Sequence, residues 1–419
     1  VQPYELLHIG DNPVSDIARA RQRGLSAYHY SAVAQTCPQA RGPSASLATS
    51  IHKLREGIDT GTYYGLGFRC GGPAALGFLS WVREQAQADK IDKLLFVSRD
   101  GYVLERLARR GDVVGLPAFA YMPGSRVAFG LAAMEEANFA ESIRFLLSGS
   151  HGLMPSEVLE RIGVPPPAQS VMRDLGLGDD VVVSDNKMLR MRSFLYAYRS
   201  EILKVCQRNR RGLFRLLGLL GIRPGMRVAL VDVGWNGTTQ ETFQHAMLKQ
   251  FHVDVHGYYF CLTDSLECKR RREELKMKAL LSEERIGSVM VNRLYARRIL
   301  IELMFSAPHQ TVIGYEPGAN GEVLPIEDAG RGEIKPPHEV IKDIVRGIED
   351  FSQSFGEVCR DALFKAEAFG MVQSTLDFVD AVDASALPIL ADIKNFDAWG
   401  SSRRLELTMR HYVDAVGEA

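Results

Sequence analysis

Short hydrophobic runs that end at polar, glycine-containing turns recur along this chain, and a helical pattern follows each of them. The first such unit is ELLHIGDNPVSDIARARQRGLSAYHY at residues 5–30. Its two apolar runs have the length of strands, and Ile17 and Ala20 repeat at helical spacing before Gly24. The order strand, loop, helix, strand is typical of a parallel α/β sheet.

Two longer units follow the same plan in the middle of the chain. KLLFVSRDGYVLERLARR at residues 93–110 and MRVALVDVGWNGTTQETFQHAMLKQF at residues 226–251 each run from a strand through a glycine turn into a helix. VDVHGYYFCL at residues 253–262 predicts a further strand. We therefore expect a Rossmann-like α/β domain at residues 56–330, with a helical insertion at about residues 130–222.

The segments on either side of this domain differ from it in composition. Residues 31–50 are rich in Ser, Ala, Pro and Gly, so we place a linker at residues 34–55. Residues 1–33 are then the end of a first α/β domain. PGANGE at residues 317–322 predicts a hairpin, and the amphipathic residues 331–419 predict a helical C-terminal region.

Two of the predicted turns carry polar side chains just beyond a buried strand. Arg99 and Asp100 follow one strand, and Asp232 lies at the end of another. Because the carboxyl ends of parallel strands share one edge of a sheet, we expect these loops to meet there. Either aspartate suits a general acid or base, a metal ligand or a ribose anchor, and Arg99 suits a phosphate. The ligand-binding candidates in the same loops are Gly101, Gly234, Trp235, Asn236, Gly237, Thr238 and Thr239.

These residue types predict a site for a phosphate or for a sugar-nucleotide diphosphate. Glycines let the backbone approach a ligand closely, and the helix that starts at Thr238 offers free N–H groups to an anion. Trp235 suits stacking on a sugar or a base. A local alternative stays open: Thr238 only caps its helix, and Asp232 accepts hydrogen bonds from its own loop. Arg99 and Asp100 then pair with each other.

A second pair of carboxylates, Asp11 and Asp16, follows the first predicted strand. Two carboxylates held close together repel each other unless a cation lies between them, and Mg²⁺ takes oxygen ligands. The pair therefore predicts a metal site with Mg²⁺ as the cofactor. The alternative is structural, with Asp11 satisfying a turn and either Ser15 or Asp16 capping the following helix.

Composition limits the partners. Lys and Arg number 50 against 51 Asp and Glu, so a formal net charge of −1 gives no general attraction to nucleic acid. No apolar run approaches the roughly 20 residues of a transmembrane helix. The six cysteines are scattered without a Cys-x-x-Cys pair, which favours neither zinc nor a disulfide framework. We expect a cytoplasmic protein.

The motif Gly10-Asp11-x-x-x-x-Asp16, with a following alanine and a glycine before the next strand, resembles the fourth motif of the haloacid dehalogenase-like (HAD) superfamily. The resemblance implies that Asp11 and Asp16 hold Mg²⁺ opposite an aspartate nucleophile, and that the typical reaction is hydrolysis of a phosphate ester. The nucleophile's motif stands upstream in that family, whereas this chain starts at Val1. We therefore expect only the C-terminal remnant of a HAD-like Rossmannoid sheet.

A second resemblance covers most of residues 5–325. FVSRDGYVL, VDVGWNGTTQ and IELMFSAPHQTVIGYE together resemble a set of bacterial proteins in which a HAD-like region precedes a second α/β domain. Such proteins are often encoded beside genes of cell-surface polysaccharide biosynthesis, and some are fused to glycosyltransferases. The resemblance implies an enzyme that acts on a sugar phosphate or sugar nucleotide, by transfer or hydrolysis. It adds Glu302 and His309 as weaker site candidates.

Two other hypotheses stay open. One is a HAD-type Mg²⁺-dependent phosphatase whose nucleophile half is absent from this chain. LLFVSRDGYVL is similar to that nucleophile's motif, with Ser98 where the aspartate stands in the family. The other is a non-catalytic scaffold that binds a glycosyltransferase partner through the helical C-terminal third.

Overall fold

The architecture comes from a computed structural model, which describes residues 2–30, 42–55, 57–247, 251–328, 337–359, 367–391 and 393. Within these residues the strands form a two-stranded parallel sheet, a five-stranded parallel sheet and a two-stranded antiparallel sheet. Helices surround the larger parallel sheet. The protein is therefore of the α/β class and Rossmann-like, as its alternating strand and helix patterns predict.

The first unit contains the predicted strand, loop, helix and strand. Strands β1 (Leu7–Gly10) and β2 (Ser26–His29) pair in parallel, and helix α1 (Arg19–Gln22) lies between them after a π-helical turn (Pro13–Ala18). The residue that caps this turn is Asn12, whose side chain accepts hydrogen bonds from the N–H groups of the next residues but one and two. The prediction of Ser15 or Asp16 as the cap was wrong.

The small sheet is unusually exposed for a parallel sheet. The side chains of Leu7, Ile9 and Tyr28 are each about 60% exposed (61%, 59% and 59%). Parallel sheets normally bury both faces. Nothing among the described residues covers these apolar side chains.

The larger sheet consists of five parallel strands in the order β4-β3-β5-β6-β7. All five bury aliphatic or aromatic side chains in its core. In chain order they are β3 (Lys93–Val97), β4 (Ala118–Met122), β5 (Arg227–Trp235), β6 (Asp254–Leu262) and β7 (Lys276–Leu281).

Helices flank these strands throughout the chain. Before β5 they are α2 (Pro43–Leu54), α3 (Tyr63–Leu66), α4 (Gly72–Ala88), α5 (Gly101–Arg110), α6 (Arg126–Ala133), α7 (Phe139–Leu147), α8 (Pro155–Glu160), α9 (Gln169–Asp174), α10 (Asp185–Ala197) and α11 (Arg199–Leu219). After β5 they are α12 (Thr238–Met247), α13 (Leu266–Glu274), α14 (Glu283–Ile286), α15 (Ser288–Ala296), α16 (Arg298–Met304), α17 (His338–Cys359), α18 (Ala368–Met371), α19 (Gln373–Asp380) and α20 (Leu387–Ala391).

The helices cover both faces of the sheet and complete a three-layer α/β/α arrangement. On one face Phe96 packs in a single core with residues of α4, α5 and α17. On the other face Leu95 and Leu230 pack with Phe129 of α6 and Phe243 of α12. Successive strand residues alternate between the two cores, as the period of two in a strand requires.

The helical insertion lies between β4 and β5, where the sequence predicts it. Helices α6–α11 occupy it, and the proline-rich residues 163–168 carry no regular element between α8 and α9. The insertion has a hydrophobic cluster of its own, which includes Leu146, Leu159 and Leu195. The predicted hairpin is also present, formed by β8 (Val312–Pro317) and β9 (Val323–Glu327).

The predicted linker needs a correction. Its residues 34–41 lie outside the described residues, but helix α2 occupies most of the remainder. Ala45, Ala48 and Ile51 repeat at helical spacing and are buried. Small residues that resemble linker composition here allow close helix packing, which is why composition alone misled the prediction.

The C-terminal region is helical as predicted, but its described part is no separate cap. Ile348 and Phe351 of α17 belong to the same buried cluster as Phe96 of the sheet. A methyl group added at Gly71 or Gly72 would lie within 3 Å of one of these two side chains. The helix α17 is therefore one layer of the central domain. No helix within the described ranges has both the length and the apolar character needed to cross a bilayer.

Candidate active site at the edge of the sheet

The site lies where the order of the strands reverses. From β3 the chain moves to β4 on one side and then returns to β5 on the other, so β3 and β5 are neighbours whose following loops diverge. In open α/β sheets such a point leaves a crevice at the carboxyl ends of the strands. A pocket of about 230 Å³ opens there.

The structure brings the two predicted loops together at this pocket. From the first loop Arg99 and Asp100 line it, and from the second Asp232 does. Gly234, Trp235, Asn236, Thr238, Thr239 and Glu302 also line it. The peptide bonds Ser98–Arg99 and Gly234–Trp235 in these loops are both cis.

Asp100 and Asp232 form a carboxyl pair at the base of the pocket. Their side chains hydrogen-bond to each other, which requires one proton between two carboxyl groups. Burial, and next the Asp232 carboxylate, raise the pKa of Asp100 well above its ordinary value. Burial also raises the pKa of Asp232, to about 6, although the hydrogen bond from Asp100 acts against this rise. The shared proton therefore resides on Asp100 at neutral pH, and Asp232 accepts it as a carboxylate.

The loop after β5 holds Asp232 in place. Asp232 is 7% exposed, and it accepts hydrogen bonds from the hydroxyl of Thr239 and from the backbone N–H of Val233. Gly234 has φ +145°, and a Cβ there would lie 2.1 Å from the carbonyl oxygen of Cys261 on β6. Glycine is required here by the neighbouring strand, in addition to any ligand.

A third carboxylate reaches the pocket from helix α16. Glu302 accepts a hydrogen bond of 2.9 Å from the indole N–H of Trp235. Its negative charge contributes to the raised pKa of Asp232. The Trp235 ring is only 6% exposed and packs edge-to-face with Tyr295 at 5.8 Å. The indole of Trp235 is therefore placed to hold Glu302, whereas stacking on a ligand would need an open face.

Three arginines give the pocket its positive charge. Arg99 comes from the first loop, Arg126 from the start of α6 and Arg298 from the start of α16. With a proton on Asp100, they face two remaining carboxylates, Asp232 and Glu302. The pocket thus has a net positive charge, which favours an anion.

Three other predicted residues contribute to the framework of the site. Gly101 and Gly237 are buried at the starts of α5 and α12 and do not line the pocket. The side-chain oxygen of Asn236 accepts hydrogen bonds from the hydroxyls of Thr263 and Ser265, which ties this loop to the end of β6.

His309 lies next to the pocket but does not line it. Its Nδ1 is 2.8 Å from the carbonyl oxygen of Gln310, so Nδ1–H donates there and Nε2 accepts from the Tyr121 hydroxyl at 2.6 Å. Ser98 bonds to both backbone groups of Gly124. Each of these side chains has a structural partner within the protein.

Asp11 and Asp16 lie in the first unit, which contributes no residue to the pocket. Asp16 accepts hydrogen bonds from Asn12 N–H at 3.0 Å and from Ser15 Oγ at 3.2 Å. The hydrogen bond from Asn12 is the largest cause that lowers its pKa. Among the described residues no three His, Cys, Asp or Glu side chains are grouped to hold a metal ion.

Sequence reasoning missed several residues that line the pocket. They are Ser125, Arg126, Tyr295, Arg298 and Thr311, from α6, α15, α16 and the segment before β8. Ser125 carries a local signal, because it caps α6 by accepting hydrogen bonds from two backbone N–H groups. Arg298 lies four residues before Glu302 on one helical face, a spacing that points both side chains the same way.

Comparison with known proteins adds no identity. No protein-family model matches this chain, and a search of curated proteins finds no significant match.

Proposed function

We propose that this protein is an enzyme that acts on a phosphorylated sugar, by hydrolysis or by transfer of the phosphorylated group. The observation that carries the proposal is the Asp100–Asp232 pair, which keeps one proton at neutral pH beside arginines in an open pocket. A carboxyl pair with separated pKa values supplies an acid and a base in one place.

The arginines and the start of α12 suit the phosphate. Arg99, Arg126 and Arg298 offer planar guanidinium groups that bind phosphate oxygens through paired hydrogen bonds. Thr238 and Thr239 lie at the N-terminus of α12, where N–H groups and the helix dipole favour an anion.

The two aspartates divide the proton transfers. Asp232, as the carboxylate, takes a proton from the attacking water or acceptor hydroxyl while its oxygen bonds to phosphorus. The bond from phosphorus to the sugar oxygen breaks, and Asp100 gives its proton to that oxygen. One proton enters the pair and one leaves it, so the pair ends with the same total charge.

The aromatic residues favour a sugar phosphate over a sugar nucleotide. A nucleobase needs an open aromatic face, but Trp235 is buried and the Arg298 guanidinium covers Tyr295 at 4.9 Å. The pocket volume of about 230 Å³ is also below the roughly 300–1,000 Å³ of typical ligand pockets. A compact phosphorylated molecule fits these limits better.

Mg²⁺ and the polysaccharide pathway remain predictions from resemblance. Two carboxylates suit Mg²⁺ by number, but Asp16 uses both oxygens within its own loop and no third ligand of the first unit is described. These residues do not fit the ion as placed, and no step above uses it. A role in cell-surface polysaccharide assembly is part of the proposal on the strength of the family resemblance only.

A binding panel tests the proposal. The full chain is titrated calorimetrically with hexose 1-phosphates, hexose 6-phosphates and sugar nucleotides, with and without Mg²⁺, and phosphate release is followed in parallel. We expect binding of at least one sugar phosphate, and Arg99→Ala should weaken it by about tenfold or more, as loss of a charge-assisted hydrogen bond does.

Asp185→Asn is the matched control, because the Asp185 side chain is 98% exposed and lies on α10 of the insertion. It should change neither binding nor turnover. If no sugar phosphate binds, the proposal fails and the scaffold hypothesis gains. Tighter binding of sugar nucleotides than of sugar phosphates would contradict the choice of substrate.

A further inference from the structure

A second cavity, of about 620 Å³, lies between α2, the start of α4 and α19. It shares no lining residue with the pocket at the sheet edge. Its volume is within the roughly 300–1,000 Å³ that is typical of small-molecule sites. The residues that line it are mostly polar, which is unusual for a gap between packed helices.

The charges that line this cavity balance. Lys53 and Arg69 carry positive charge, and Asp377 and Asp383 carry negative charge. Asp383 accepts a hydrogen bond of 2.8 Å from the Thr60 hydroxyl, and Arg69 donates to the carbonyl of Ile58. The cavity therefore presents polar groups without a net charge, so it does not favour an ion of either sign.

Two buried polar atoms of the lining have no hydrogen-bond partner among the described residues, namely His52 Nε2 and Ser374 Oγ. His52 is 9% exposed, and its ring packs against Phe68 and Phe351 at 5.9 and 5.5 Å. Burial lowers its pKa to about 4, so the ring is neutral at pH 7.

The neutral ring of His52 fixes what its partner must be. A ring N–H donates to the backbone of Phe68. Because Nε2 is the nitrogen without a partner, the proton resides on Nδ1 and Nε2 is an acceptor. The missing partner is a donor, and a hydroxyl group is one that is also neutral. Ser374 Oγ can donate or accept, so a second hydroxyl completes it.

We propose that this cavity is a second binding site, for a neutral polyhydroxylated molecule of mono- or disaccharide size. Hydroxyl groups of the ligand donate to His52 Nε2 and exchange a hydrogen bond with Ser374 Oγ. The balanced charges of Lys53, Arg69, Asp377 and Asp383 bond to other hydroxyls. The buried polar atoms, which are costly when unpartnered, are thus explained by a ligand.

Saturation-transfer NMR and calorimetry on the full chain test this proposal. The probes are methyl glycosides of glucose, galactose, mannose and N-acetylglucosamine, with maltose and sucrose, at millimolar concentration. Glucuronate and glucosamine serve as charged counterparts. We expect at least one neutral saccharide to bind, and its charged counterpart to bind more weakly.

Two variants locate the binding. Ser374→Ala should weaken the saccharide by about tenfold, since a hydrogen bond near 1.4 kcal/mol corresponds to that factor. It should not lower the melting temperature, because it removes a buried group that has no partner. His52→Phe keeps the ring and removes the acceptor, and it should weaken the same ligand. Ser50→Ala, at an exposed position of α2, is the matched control and should change nothing.

The outcomes separate this site from the first. Binding of no neutral saccharide overturns the proposal and leaves water as the partner of these atoms. Binding that Ser374→Ala leaves unchanged overturns it too, even if His52→Phe fails to fold. Sugar phosphate binding at the sheet edge should be unaffected by Ser374→Ala, so either site can fail alone.

Discussion

Two regions of this protein place a pair of aspartates after a strand, and they differ in burial. Asp100 and Asp232 come from neighbouring strands of a five-stranded sheet and meet in a pocket. Asp11 and Asp16 come from one loop of an exposed two-stranded unit. Burial raises the pKa values of the first pair, whereas hydrogen bonds in the loop lower that of Asp16. Aspartates far apart in sequence therefore form the stronger candidate for acid–base chemistry.

The largest expected effect separates the two pairs by activity. Asp232→Asn removes the proposed base and should lower kcat by about 10³-fold on a sugar phosphate that binds. Asp16→Asn should leave kcat unchanged, since the first unit does not reach the pocket. Steady-state kinetics on both variants measures this difference. A loss with Asp16→Asn and none with Asp232→Asn would reverse the comparison.

A glycine in each region provides a test of stability. Gly234→Ala should destabilise the fold by about 3 kcal/mol, because φ is +145° and the new Cβ lies 2.1 Å from a carbonyl oxygen. At Gly10 a Cβ would lie 2.3 Å from Cβ of Asp16, an exposed side chain. That loop can shift, so Gly10→Ala should cost about 1 kcal/mol or less. Urea unfolding measures both, and equal losses would show that the exposed unit is as rigid as the sheet.

The pH dependence of stability should have opposite signs in the two regions. The pKa of Asp232 rises from 3.8 to about 6 in the folded protein, so the folded state binds more protons between these values. Its contribution is present below pH 3.8 and is lost as the pH rises through about 6, by at most about 3 kcal/mol. Asp16, with a lowered pKa, contributes above its ordinary pKa of 3.8 and loses that contribution as the pH falls.

Melting temperatures between pH 4 and pH 8 check this prediction. Asp232→Asn should flatten the decline of the wild-type curve over that range, and Asp16→Asn should leave it as it is. A wild-type curve that rises from pH 4 to pH 7 and is unaffected by Asp232→Asn would contradict a shared proton.

The smallest expected effect concerns the helix that closes the pocket. Arg298→Lys keeps the charge but loses the planar group, so it should weaken sugar phosphate binding by about threefold to tenfold. Arg109→Lys is the control, because that side chain is 69% exposed on α5. Calorimetry measures both. Equal affinity in all three proteins would remove Arg298 from the phosphate site.

The sequence was informative where a property is local. The runs around Phe96 and Val231, each followed by a glycine turn, predicted two central strands and the loops that meet at their ends. The contribution of Arg126 and Arg298 was hidden, because only the packing of α6 and α16 on the sheet brings them to the pocket. Similarly, Ala48 read as linker composition because the helices that bury it lie some three hundred residues further along.

The position of α17 in the core has a consequence for synthesis of the chain. One face of the sheet is completed by Ile348 and Phe351, which a ribosome adds more than a hundred residues after the last strand of β5. Until that helix emerges, the nascent chain exposes the apolar side chains that it will later cover. The central domain can therefore reach its final packing only late in translation, when nearly nine-tenths of the sequence has left the ribosome.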